Sequence, residues 1–458
     1  MIKKQIAPVL LAGVSTLIST QLSAAGFAII EHSASGMGNS FAGGAAIAED
    51  ASTIWFNPAG MTRLGNEMLI AAHIIMPESD YTDDGSTTSA AMGATTLDPT
   101  NTDRNGAAGR NALVPNFYWV KEVNQNLFLG FGFNAPFGLA TEYEDDWVGR
   151  YHGVLSDTKT LNFNPSIAYK MGNVSLGFGI SAQYIDVTLT SAIDLGSVCT
   201  GTELAGGFPT GTCAAVGATP QNKDGFAELT ADNWAYNFNI GVLFEISDDA
   251  RVGFSYRSGV DHDVDGDADF NVPGDVAFLT GTGNFLDTSL TASVSLPAIT
   301  SLSYFQAIND QISIMADYSV TSWSDFEELR IDYEGAQADT VTTEDWDDSA
   351  RISVGLNYKA SAKWLYRFGL AMDETPIPSA ERRTPRIPGN DRTWISAGAT
   401  HQIDKDRSFS IGFAHLIIDD TEINNTYEAV SAPMLEHTLK GTYEASVSIL
   451  SAQFRWQY

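Results

Sequence analysis

Positive charge is what this sequence has least of: 25 lysines and arginines stand against 56 aspartates and glutamates, a net charge of −31. That balance excludes nucleic acid as a partner, because phosphate binding needs clustered Lys and Arg. Long apolar runs are scarce too. After residue 25 no uncharged segment approaches the roughly 20 apolar residues of a spanning helix, so helical membrane crossing is excluded. Cysteine is confined to Cys199 and Cys213, inside a Gly- and Thr-rich insertion from Gly196 to Asp224. The spacing is not CxxC and the insertion holds no histidine, so a redox or metal role lacks its neighbours. In an oxidising envelope compartment the pair reads as a disulfide clamping one loop, worth about 3 kcal/mol. Catalytic signatures are missing as well. The seven histidines form no HExxH, and there is no Gly-x-Ser-x-Gly context. Gly130 to Ala135 fits GxGxxA, but Pro136 stands where a helix should begin. Asp261, Asp263, Asp265 and Gly266 open like a calcium loop whose twelfth position is Val272, and they read better as a strand with an acidic face. No catalytic residue, metal or cofactor is expected, and the chain is not read as an enzyme.

What is present points to export and to strands. Lys3 and Lys4 precede an apolar stretch from Ile6 to Ile18, and Ser23-Ala24-Ala25 supplies small residues for cleavage, so residues 1–25 read as a signal peptide. The remainder is rich in Gly (41) and aromatics (24 Phe, 16 Tyr, 9 Trp), with only 18% charged residues. Period two dominates. From Val174 to Tyr184 the apolar set Val174, Leu176, Phe178, Ile180, Ala182 and Tyr184 alternates with Ser175, Gly177, Gly179, Ser181 and Gln183, the pattern of a wall with lipid outside and small polar residues inside. Beyond Tyr184 the phase slips to Ile185, Val187 and Leu189, which implies a bulge or the strand's exit from the membrane. Similar alternation runs through Tyr236 to Phe244, Ile352 to Tyr358 and Phe409 to Phe413.

Plausible strands between turn signals number about fourteen, each able to supply the roughly 9 to 11 residues of a tilted membrane strand. They begin near residues 67, 112, 127, 160, 173, 230, 250, 286, 311, 348, 363, 392, 407 and 441. An all-β, antiparallel transmembrane barrel over residues 67–458 follows, since closure pairs every backbone amide that lipid cannot satisfy. Short links such as Met171-Gly172-Asn173 read as periplasmic, and the long polar stretches 80–110 and 191–228 as extracellular. The final Phe454-Arg455-Trp456-Gln457-Tyr458 places an aromatic at every second position. In an exported Gram-negative protein that ending marks an outer-membrane strand, through which the barrel-assembly machinery is the expected partner. Residues 26–66 lack alternation and have too little bulk for their own core, so they are expected to sit inside the barrel as a plug, or hatch. Nothing marks a subunit interface, and a monomer is expected.

Two elements carry specific geometry. Asn57-Pro58-Ala59, after Trp55-Phe56, forms a rigid corner, because proline fixes its own φ and pushes Asn57 out of the helical region. In the third strand, Leu127 to Phe133 alternates until Ala135-Pro136-Phe137-Gly138 interrupts it, and Leu139 to Tyr143 resumes; proline cannot donate its ladder hydrogen bond, so a kink is expected. Gly26-Phe27, Ser35-Gly36-Met37-Gly38, Ala45 to Ala51 and Asn57-Pro58-Ala59, in that order, resemble the hatch of the FadL/TodX family of outer-membrane transporters for long-chain fatty acids and related hydrocarbons. Val114-Pro115-Asn116, Phe137 to Glu142, Thr321-Ser322-Trp323-Ser324, Pro376-Ile377-Pro378 and Asp391-Arg392-Thr393-Trp394 extend the resemblance along the chain. It implies a fourteen-stranded barrel plugged by the hatch, a surface site that collects apolar ligand, a deeper apolar pocket, and exit sideways into outer-membrane lipid through the third-strand kink. It also implies basic residues that pair the ligand carboxylate. Arg330 matches one such position and reads equally as a surface charge answering Glu327, Glu328 and Asp332; the other position falls at Ser191, which carries no charge. An uptake channel for aromatic or alkane hydrocarbons is therefore the alternative to a fatty-acid transporter, ahead of a general porin.

Overall fold

The structure, a computed structural model, describes residues 26–98, 105–429 and 432–458; the expected signal peptide, residues 1–25, lies outside them. Antiparallel pairing joins 14 strands into a closed wall. The first six are β1 (Glu67–Asp83), β2 (Ala112–Asn124), β3 (Leu127–Asn134, resuming as Gly138–Glu142), β4 (Leu155–Met171), β5 (Val174–Asp194) and β6 (Asp224–Ser247). Four broken strands come next: β7 (Ala250–Arg257, then Val260–Asn271), β8 (Thr288–Leu296, then Ile299–Ala307), β9 (Ile312–Thr321, then Glu328–Tyr333) and β10 (Thr340–Thr343, then Ser349–Lys359). The last are β11 (Trp364–Asp373), β12 (Arg392–Gln402), β13 (Arg407–Ile418, then Thr421–Thr426) and β14 (Thr438–Gln457). β14 closes on β1 from Glu67↔Gln457 to Asp83↔Gly441, which leaves no sheet edge at the seam. No helix among the described residues is long and apolar enough to cross a membrane.

Alternation explains the wall. On β5, Leu176, Phe178 and Ile180 are exposed outward, while Ser175, Ser181 and Gln183 are buried inward. The slip beyond Tyr184 is not a bulge, because pairing with β6 continues unbroken from Val174↔Phe244 to Asp194↔Asp224. The strand leaves the membrane and its polarity inverts: Ile185 now faces inward, and Asp186 outward. β6 does the same. Phe238, Tyr236 and Trp234 face out below this level, Asp232 and Glu228 above it, where Ala227 and Leu229 turn inward. Strands expected near 160, 230, 348 and 441 begin earlier, at Leu155, Asp224, Thr340 and Thr438, and the others begin within two residues of expectation. The four misjudged starts lie in extensions beyond the membrane, where the wall no longer follows the lipid pattern.

Residues 26–66 contain α1 (Ala34–Met37), α2 (Gly44–Ile47), α3 (Thr53–Phe56) and a 3-10 turn, Pro58–Arg63, bonded to inward-facing side chains of the wall. None of these is long enough to be stable alone; bonds to the wall hold them. Gln453 on β14 accepts from Ala34 N at 2.9 Å, and Ser303 on β8 accepts from Ala45 N at 2.9 Å. Ser40 bonds Ser396 on β12 at 2.7 Å, and Glu49 pairs with Arg367 on β11 at 2.8 Å. Wall glycines let the hatch backbone approach: a Cβ on Gly241 would run into Asn57 Oδ1, and one on Gly253 into the Ala45 carbonyl.

Asn57 joins these parts. Its Nδ2 donates to the carbonyls of Ala45 (2.6 Å) and Val242 (3.0 Å), and its Oδ1 accepts from Ala59 N (3.0 Å), while Pro58 starts the 3-10 turn. Asn57→Ala leaves two of these buried backbone groups, the Ala45 carbonyl and the Ala59 amide, without that partner. It should weaken hatch docking by on the order of 2 to 4 kcal/mol. Amide hydrogen exchange should then accelerate over residues 44–60 while the strands of the wall keep their protection.

Candidate functional site

Between β2 and β3 the pairing of the wall lapses, and the hatch fills the lapse. β2 pairs with β1 as far as Ile75↔Ala112, yet its ladder to β3 stops at Phe117↔Phe133. On the other side of β3, pairing to β4 moves from Asn134↔Asn162 to Gly138↔Lys159, so three residues, 135–137, oppose two. That is a bulge, centred on Pro136, which has no N–H to offer. Hatch residues 27–31 enter here. Ala28 bridges Phe137, Ile29 N donates to the Pro136 carbonyl at 2.8 Å, and Gly138 N donates to the Phe27 carbonyl at 3.0 Å. Asn116 of β2 donates to the Glu31 carbonyl at 2.8 Å. A Cβ on Gly138 would lie 2.7 Å from Ile29 Cδ1, so glycine admits this segment closely.

Against this junction lies a cavity of about 210 Å³. Its apolar wall includes Leu139, Ile185, Val187, Val264, Val294 and Phe326, of which Ile185 and Val187 are turned inward by the polarity inversion of β5. Phe27 contributes as well, its ring packed against Trp323 (4.9 Å between centroids), Phe137 (6.0 Å), Trp346 (6.1 Å) and Phe326 (6.2 Å). One residue therefore lines the cavity with its side chain and bonds the kinked strand with its carbonyl. Polar groups also face the space, among them Tyr151, Asp194, Glu344, Arg386, Glu428 and His437. Burial pushes the Glu344 carboxyl up to about 8, so it is largely uncharged at neutral pH. A second cavity, about 110 Å³, touches Ala28 to Glu31 and includes Trp55, Arg257, Arg351 and Asp373.

Of the residues singled out in the sequence, Ala135, Pro136, Phe137 and Gly138 lie at the gap, and Ser191 lies on the cavity wall. Asn57, Pro58 and Ala59 anchor the hatch away from the cavity. Cys199 and Cys213 are bonded to each other, joining α4 (Leu195–Leu204) to α5 (Thr212–Ala215) in the β5–β6 loop. They pack in one cluster with Phe285, which lines the cavity. Arg330 requires a correction. Alternation on β9 turns Leu329 and Ile331 into the cavity and Arg330 outward, where it is exposed and pairs with Glu328 (2.9 Å) and Asp339 (3.6 Å). Of the two readings open in the sequence, the structure places it as a surface charge. Sequence reasoning missed Arg386. Its signal was Arg382, Arg383 and Arg386 within five positions of a chain that has few cations.

Residues 15–458 match the profile of the family described as outer membrane protein transport protein (OMPP1/FadL/TodX). A long-chain fatty acid transport protein of Escherichia coli O6:H1 strain CFT073 is 33% identical over 417 residues, covering 89% of this chain and 90% of that protein. The crystal structure of a Pseudomonas aeruginosa FadL homologue superposes with a TM-score of 0.83 at 22% identity, covering 94% of this chain and 99% of the other. The Pseudomonas putida toluene transporter TodX superposes with a TM-score of 0.63 at 15% identity, covering 89% and 95%.

Because an exposed ion pair contributes about 0 to 1 kcal/mol and Arg330 lies off the cavity wall, Arg330→Ala should leave the affinity for a labelled long-chain fatty acid within about threefold of wild type. Equilibrium binding in detergent checks this.

Proposed function

The chain belongs to the OMPP1/FadL/TodX family of outer-membrane transport proteins, and from that premise we propose that it carries long-chain fatty acids or similar apolar molecules passively across the Gram-negative outer membrane. The observation that carries this reading is the junction at Phe27, where an apolar cavity meets a gap in wall pairing closed only by residues of the hatch. In the proposed route, ligand first settles on the extracellular loops, where Leu204, Phe278 and Leu286 are exposed. It then enters the cavity. When Phe27 to Ile29 withdraw from Pro136 and Gly138, the ligand leaves between β2 and β3 into lipid.

Energetics favour that exit. At about 0.8 kcal/mol per methylene, release of a sixteen-carbon chain into periplasmic water would be uphill by on the order of 10 kcal/mol, whereas release into lipid keeps the chain in apolar surroundings. Residues 26–66 act as the plug and 67–458 as the wall in this scheme. The protein works as a monomer, and β14 is the strand offered to the barrel-assembly machinery. Hydrocarbon uptake remains the second reading for a specific reason: the cavity exceeds the ~150 Å³ that suffices for benzene, and Ser191 adds no charge to it.

A reversible lock tests the exit. Ala28 and Phe137 form a non-hydrogen-bonded antiparallel pair, since the flanking residues make the bonds; such pairs bring Cα atoms to about 4.5 Å, within disulfide reach. Oxidised Ala28→Cys/Phe137→Cys protein should take up labelled fatty acid at least fivefold more slowly than its reduced form, with wild type unaffected by the same reductant. Equal uptake by both forms contradicts the route.

A further inference from the structure

Arg386 is the one arginine or lysine lining the large cavity among the described residues. It lies in the link between β11 and β12, and three of its N–H groups are engaged. Nη1 donates to the Leu155 carbonyl (2.9 Å) and Ser156 Oγ (3.0 Å), and Nη2 to the Thr190 carbonyl (3.1 Å). These acceptors are neutral, and among the described residues no carboxylate lies within 4.0 Å of it. Elsewhere in the wall and loops, Arg150 has Asp224 at 2.7 Å, Arg367 has Glu49 at 2.8 Å and Arg382 has Asp345 at 2.7 Å. A guanidinium carries five N–H donors, so two remain, on Nε and Nη2.

The cavity's own carboxyl groups are already engaged. Asp194 accepts from Ser197 N (2.8 Å) and Oγ (2.6 Å) and from Gln221 N (3.0 Å). Glu344 accepts from Trp346 Nε1 (2.8 Å), and Glu428 from Thr343 Oγ1 (2.8 Å) and Arg382 (3.3 Å). Burial lowers Arg386 only to about 10, so it stays protonated at neutral pH. A cation held away from water without a counter-charge is unfavourable, and an incoming anion relieves it. Strands β4 and β5 fix the guanidinium by three bonds, two to main-chain carbonyls and one to a hydroxyl, so little side-chain freedom is left to lose on binding.

Resting on the transport reading above, we propose that Arg386 pairs the carboxylate of the ligand through its two unused N–H groups, while the acyl chain lies along the apolar wall that includes Ile185, Val187 and Phe27. The substrate class is then long-chain monocarboxylates in preference to uncharged hydrocarbons. The charge is supplied from the β11–β12 link, which accounts for a cavity where Ser191 is neutral and Arg330 points outward.

The test measures binding of hexadecanoate and hexadecan-1-ol to purified full-length protein in detergent, for wild type, Arg386→Gln and Arg386→Lys. A charge-assisted pair lost from the site should lower the acid-to-alcohol affinity ratio about tenfold or more in R386Q, with partial recovery in R386K. An unchanged ratio, or equal loss of both ligands, overturns the assignment. Should R386Q fail to fold, wild type alone decides: methyl hexadecanoate should compete at least tenfold less well than the acid, and equal competition overturns it. Wild type that binds alcohol and acid equally defeats only the role of Arg386. Wild type that binds neither defeats the transport reading as well.

Discussion

Lipid offers no hydrogen bonds, so every backbone amide within the bilayer must find its partner inside the protein, and the rest of this structure depends on that constraint. The seam between β1 and β14 meets it with seventeen residues of β1 in register. The gap between β2 and β3 meets it differently. Beyond Phe117↔Phe133 the wall stops supplying partners, and Phe27, Ile29 and Glu31 of the hatch supply them instead. A wall completed by a separable segment is a wall that can open there at the cost of a few bonds. Since Phe27 also lines the cavity, occupancy of the cavity and closure of the wall act on one residue.

A second constraint is the inversion of polarity along β5 and β6. At the level of the hatch the inner face needs small or polar residues, because hatch backbone lies against it; Gly177, Asn239 and Gly241 serve there. One or two turns of the wall higher, the outer face meets water and the inner face meets ligand, so aspartates move outside and Ile185, Val187 and Leu229 move inside. Part of the chain's negative charge lies on that outer face: Asp261, Asp263, Asp265, Asp267 and Asp269 are exposed on β7 while Val260, His262 and Val264 face in. These aspartates belong to the solvated outer face, and they coexist with a largely apolar chamber.

Much of this was legible in the sequence where one physical rule governed. The period-two runs located the strands because lipid enforces alternation, and Pro136 located the break in β3 because proline removes a donor. The hatch was recognised by motif rather than by physics, since its three short helices have no independent stability and no periodicity to read. The phase slip after Tyr184 was visible, but choosing between a bulge and an exit from the membrane required the register with β6. Arg330 illustrates the limit of matching by position: a shift of one residue in a strand moves a side chain from lumen to solvent. Arg386 was hidden for another reason. It sits in an irregular link with no period, and only the fold brings that link beside Leu155 and Thr190.

The central claim is the path: from the cavity, past Phe27, to the lipid between β2 and β3. The most direct measurement is photo-crosslinking in native outer membranes with a fatty acid carrying a diazirine at the end of its chain, followed by mass-spectrometric mapping of the adducts. The account predicts labelling of Phe27, Ile185 and Val187 in the cavity, together with Leu139 and the outward-facing Leu113 at the gap. Adducts that skip the gap and fall on the short strand links at Gly172-Asn173 (β4–β5) and Asp248-Asp249 (β6–β7) would contradict it.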